Sequence, residues 1–64
     1  MNRDIRLENH GSIFTVTGLT HAGRGWLAEN LPEDAMRWGA GYVVEPRYVE
    51  AIAEGAVGYG LEVE

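Results

Sequence analysis

Cysteine is absent from the 64 residues, which excludes disulfide staples. The two histidines, His10 and His21, are too few for a zinc site built from four Cys or His ligands. Lysine is also missing, which leaves five arginines against ten acidic residues and a formal net charge of −5. That balance argues against unaided binding to DNA, RNA or anionic lipid, because each of those affinities begins with cations neutralising phosphate. No stretch approaches the ~20 apolar residues of a membrane span. The opening MNRDIRLENH has no apolar run of the signal-peptide kind, so the expected location is the cytoplasm. Ser12 is the only serine and has no oxyanion context. GxSxG, HExxH and phosphate-loop motifs are missing, with Gly23-Arg24-Gly25 only a fragment of a glycine loop. No catalytic group, cofactor site or metal site is therefore expected, and the chain does not read as an enzyme.

What is present is a globular composition. Apolar residues make up 45% and charged residues 23%, and Phe14, Trp26, Trp38, Tyr42, Tyr48 and Tyr59 supply aromatic bulk that a disordered acidic tail lacks. Residues 1–64 make a single domain. A chain this short buries only about 60% of its unfolded surface, so the core carries the fold alone or a second copy helps; a monomer or weak homodimer is expected.

Residues Asp4 to Glu8 alternate, with Ile5 and Leu7 on one side and Asp4, Arg6 and Glu8 on the other, as in a half-buried strand. Asn9-His10-Gly11 is turn chemistry, and the β-branched and aromatic run from Ser12 to Leu19 predicts the second strand of a hairpin. Thr20 suits the N-cap of a helix whose apolar positions are Ala22, Trp26, Leu27 and Leu31. Gly23 and Gly25 weaken that helix by about 1 kcal/mol each relative to alanine, unless they permit close packing. Pro32 opens a second, short helix with Glu33 and Asp34 in its first turn, ending at Gly39. Ala40 to Glu45 predicts a central strand. Pro46 begins the last helix, with an apolar stripe of Tyr48, Val49, Ile52, Ala53, Ala56 and Tyr59, and Gly60 at its end. Leu61 to Glu64 alternates again as a short final strand. The expected fold is α+β: a small antiparallel sheet of three to four strands, with two main helices packed on one face.

The acids are unevenly placed. Glu50 and Glu54, four apart on a helix, are separated by a rise of about 6 Å. Glu62 and Glu64, two apart on a strand, are separated by about 6.6–6.8 Å. Both spacings are close to those of neighbouring phosphates on one nucleic-acid strand. Glu29, Glu33 and Asp34 form a third group. Arg24, Arg37 and Arg47 are placed to orient neighbouring carboxylates. The bland reading is a solvated face that keeps the protein soluble. Trp26, Trp38, Tyr42 and Tyr48 can be read as a platform for stacking bases, but core residues are the expectation. His10 with Glu8, or His21 with Glu29, is the only pairing that resembles acid–base machinery. Exposed turn and cap residues are the plainer reading of both histidines.

The segments ENHGSI (Glu8 to Ile13), NLPEDAMRWGAGYVVEPRYVEAI (Asn30 to Ile52) and the closing GLEVE resemble small proteins of phages and other mobile elements of proteobacteria. Among these the chain is similar to anti-CRISPR proteins aimed at type I surveillance complexes. The resemblance implies a stoichiometric inhibitor in the cytoplasm of a bacterial host, often acidic, that blocks entry of target DNA. It carries over no catalytic residue. The combined expectation is a DNA mimic that binds a basic DNA-binding protein, such as a Cas subunit of a type I complex. Contacts are expected on Glu50 and Glu54 first, then Glu29, Glu33 and Asp34, then Glu62 and Glu64. The alternatives are a docking or assembly module using an apolar patch, and a minor enzyme subunit using His10 or His21.

Overall fold

The computed structural model describes residues 3–32, 34–39 and 41–64. Strand β1 (Ile5–Asn9) and strand β2 (Phe14–Gly18) form the first hairpin. Gly11 turns it at φ +94°, and the Asn9 side chain accepts a hydrogen bond from the Gly11 amide at 2.8 Å. Helix α1 (His21–Asn30) follows, capped by Thr20, whose hydroxyl oxygen accepts from the Gly23 amide at 3.1 Å. A second hairpin joins β3 (Arg37–Trp38) to β4 (Gly41–Val44), and helix α2 (Pro46–Gly58) comes last. The four strands are antiparallel in the order β1-β2-β4-β3.

The expected α+β class holds, and so does the placing of both helices on one face. Cross-strand pairing puts Ile5, Leu7, Phe14, Val16, Tyr42 and Val44 on the same side of the sheet. Ile5 and Val16 are fully buried there against Leu27 of α1, Ala56 of α2, and Leu61. Trp26, Leu31, Ile52 and Val63 pack around this centre. Trp26 also lies on Gly55 of α2, where an added Cβ would stand 3.1 Å from the indole Cζ2.

The end of α2 is a Schellman motif. The Leu61 amide donates to the Ala56 carbonyl at 3.0 Å, the Gly60 amide donates to the Val57 carbonyl at 3.0 Å, and Gly60 adopts φ +96°. This reversal buries Leu61 and returns the chain to β1. There Leu61–Glu64 runs parallel to β1, with Ile5 opposite Val63. The Ile5 amide donates to the Glu62 carbonyl, and the Glu64 amide donates to the Ile5 carbonyl. The outer edge of β1 is thus covered, as the alternation in LEVE anticipates.

Four expectations are corrected. The short helix expected from Pro32 is absent among the described residues. The chain makes one turn, in which the Ala35 amide donates to the Pro32 carbonyl, and then extends. Extension lets β3 satisfy the outer backbone groups of β4, and Gly39 at φ +61° closes that hairpin. Asp34 therefore lies in a turn and at no helix N-terminus; Glu33 and Ala40 fall outside the described residues. Trp38 and Tyr48 are not core, at 56% and 48% exposed. Tyr59 and Ala22 likewise leave their expected stripes for the surface.

Asp4 takes a part that strand alternation does not reveal. Its carboxylate accepts from the Thr20 hydroxyl at 2.6 Å and from the Glu62 amide at 2.9 Å. Its carbonyl accepts from the Leu19 amide at 2.8 Å. One residue therefore joins β1, the cap of α1 and the closing segment. The Thr20 hydroxyl, and after it the Glu62 amide, hold the Asp4 carboxyl below the ordinary aspartate value.

Candidate functional site

The carboxylates divide into paired and unpaired sets. Glu62 meets Arg3 at 3.7 Å, Glu64 meets Arg6 at 3.1 Å and Glu45 meets Arg47 at 3.4 Å. Glu62 and Glu64 do lie along one extended segment, as expected, but an arginine covers each. Of the arginines expected to orient carboxylates, Arg47 does so. Arg24 donates to the Leu19 carbonyl, and Arg37 lies over the Tyr42 ring.

Glu8, on the opposite sheet face, and Glu29, Asp34, Glu50 and Glu54 are exposed, and none makes an ion pair among the described residues. Glu50 and Glu54 occupy the flank of α2 away from Ile52 and Ala56, one turn apart. Their mutual repulsion costs a few tenths of a kcal/mol. Glu29 lies in the last turn of α1, at the negative end of the helix dipole, where a carboxylate is unfavourable. Neither helix has an acid in its first turn or a base in its last. The unpaired acids thus contribute nothing evident to helix stability.

Three of the concave surfaces among the described residues bear on these side chains. An apolar groove of about 460 Å³ runs between the C-terminal end of α1 and the N-terminal half of α2, lined by Leu31, Pro32, Val44, Tyr48 and Ile52. A shallower depression of about 250 Å³ holds His21, Trp26, Glu29 and Tyr59. A third, of about 220 Å³, lies on the sheet face opposite the helices and holds Glu8, His10, Thr15 and Trp38. Each histidine thus shares a hollow with the glutamate named beside it above. No hydrogen bond or ion pair joins either His to a carboxylate among the described residues. The His10 Nε2 is instead 3.1 Å from the Thr15 hydroxyl, and its ring leans on Trp38.

Sequence reasoning missed this open sheet face as a surface, although the signal was present. The alternation that buries Ile5 and Leu7 sends Arg6 and Glu8 to the other side, and Thr15 and Thr17 join them by cross-strand pairing. Among the described residues no group of three His, Asp or Glu side chains is arranged to hold a metal ion. Among the same residues no helix is long and apolar enough to cross a membrane. No family model, curated protein or solved structure matches this chain.

Proposed function

We propose that this protein is a stoichiometric binding module that engages a basic DNA-binding protein through its acidic helical surface and keeps DNA off that partner. The observation that carries the reading is the division of charge. Three of the five arginines are neutralised by Glu45, Glu62 and Glu64, while Glu29, Asp34, Glu50 and Glu54 stand exposed without ion pairs among the described residues. Acids placed against the helix dipole and against each other are better explained by an external cation than by folding. The likeness to anti-CRISPR proteins narrows the partner to a Cas subunit of a type I surveillance complex in a bacterial cytoplasm. No catalytic step belongs to this reading.

The apolar groove beside Tyr48 favours a second reading, a docking module held by apolar contact. The two separate by mutation and salt. Glu50→Arg with Glu54→Arg should weaken the complex with the surveillance complex at least tenfold without changing the circular dichroism spectrum. Binding by the parent should fall as salt rises, because exposed charges screen over about 8 Å at physiological ionic strength. Indifference to both changes, with loss of binding in Ala51→Trp, which fills the groove, would establish docking and end the mimicry reading.

A further inference from the structure

The sheet face turned away from the helices is polar along β1 and β2, yet Thr15 on it is only 6% exposed. Its place in the strand flanked on both sides, and the His10 ring at its hydroxyl, account for this. The His10 ring sits 5.3 Å from the Trp38 ring at 51°, with its Nε2 3.1 Å from the Thr15 hydroxyl. Trp38 is paired with Gly41 across the hairpin. A Cβ at Gly41 would stand 2.6 Å from the Thr17 hydroxyl and 2.9 Å from the Val16 carbonyl oxygen, so the floor between these strands stays bare. The result is a shallow, open hollow lined by the Trp38 indole and by Glu8.

No arginine of the described residues lines this hollow. Arg37 lies 4.6 Å over the ring of Tyr42, and Arg47 lies 4.9 Å over the ring of Tyr48. Arg6, next to Glu8 on the same sheet face, is drawn to Glu64 at 3.1 Å. Trp38 presents the aromatic face best suited to a cation; the His10 ring is tilted against it, and no arginine of the described residues lies over it. Glu8, on the rim of the same hollow, has no ion pair among those residues.

We infer that the Glu8–His10–Trp38 hollow is a receptor for an arginine side chain of a protein partner. The guanidinium plane stacks on the Trp38 indole while its N–H edge donates to the Glu8 carboxylate. Arginine fits better than lysine, because its planar group stacks and forks together, whereas an ammonium is a compact, strongly hydrated charge. This inference rests on the proposal that the partner is a basic protein, and adds a second contact on the face remote from α2.

The test titrates hexa-arginine and hexalysine, at low salt, into the 15N-labelled protein, and follows the indole N–H signals of Trp38 and Trp26. The expected result is movement of the Trp38 signal in the parent, a smaller movement in Glu8→Gln, and tighter binding of hexa-arginine than of hexalysine, whereas movement of the Trp26 signal reports the acidic surface around Glu29. Trp38→Ala and Glu8→Gln should each lower hexa-arginine affinity about 2- to 5-fold, with Trp38→Phe retaining part of it. Both positions are exposed, and Glu8→Gln tests the site even where loss of the indole perturbs the hairpin. Equal binding of both peptides, unaffected by Trp38→Ala and Glu8→Gln, would overturn the receptor while leaving the acidic-surface proposal intact. No binding of either peptide would overturn the receptor and count against the acidic surface as well.

Discussion

Gly23 and Gly25 lie two residues apart in the same helix, and alanine at each should move stability in opposite directions. In a helix interior, Gly→Ala contributes about 0.8–1 kcal/mol through propensity alone. At Gly25 nothing lies within 4 Å of an added Cβ, so that gain should appear, raising the melting temperature by about 3–8 °C in a domain of this size. At Gly23 an added Cβ would overlap the Asp4 carbonyl oxygen and stand 2.9 Å from its carbon. Ordinary carbon–carbon contact is about 3.5–4.0 Å, so α1 must move away from β1 by a sizeable fraction of an ångström. That carbonyl accepts from the Leu19 amide, and the Asp4 carboxylate holds Thr20 and Glu62. The displacement therefore disturbs the cap of α1 and the closing segment together. Overpacking of this kind costs about 1–3 kcal/mol and more where backbone must shift, which exceeds the propensity gain. Gly23→Ala should lower the melting temperature by about 10 °C, read by circular dichroism at 222 nm beside the parent and Gly25→Ala. Shifts of the same sign in both variants would refute the close approach of α1 to Asp4.

Other consequences are as direct. Asp4→Asn should be less stable than the parent at neutral pH. Because the folded Asp4 carboxyl lies below its unfolded value, its stabilisation is complete above about pH 4 and fades as pH falls through the lower folded value. Melting curves of both proteins from pH 7 to 2.5 should converge below pH 4, and a gap that stays constant to pH 2.5 would disprove the role of its ionised form. Leu27→Ala, removing a fully buried side chain from a small core, should cost about 2–5 kcal/mol in urea unfolding. A loss under 1 kcal/mol would mean that Leu27 is not central. By contrast Tyr59→Ala should change stability by no more than about 0.5 kcal/mol, since the side chain is 70% exposed.

Much of this arrangement was legible in the chain because local chemistry and tertiary packing agree. The alternation around Ile5 and Leu7, the Thr20 cap, Pro46 at the start of α2 and Gly60 at its end each name their structure without help from distant residues. The Pro32–Trp38 segment misled because proline followed by acids is good helix-start chemistry, whereas the unsatisfied edge of β4 claims the same residues for pairing. Trp38 reads as core by size, yet a two-residue strand at the sheet edge has no layer to bury it. The placement of Glu50 and Glu54 on an exposed flank followed from helical spacing. The capture of Glu62 and Glu64 by Arg3 and Arg6 did not, because the closing segment pairs with residues almost the full chain length away. Asp4 was hidden for the same reason.

The claim that the acidic surface takes the place of DNA is tested most directly by competition. A guide-loaded type I surveillance complex is mixed with labelled target duplex and increasing amounts of this protein, and bound DNA is read by fluorescence anisotropy. The account predicts that bound duplex falls as the protein saturates the complex, that preformed protein complex excludes duplex, and that Glu50→Arg with Glu54→Arg abolishes the exclusion. Formation of a ternary assembly, with duplex and this protein bound at once at undiminished affinity, would contradict it.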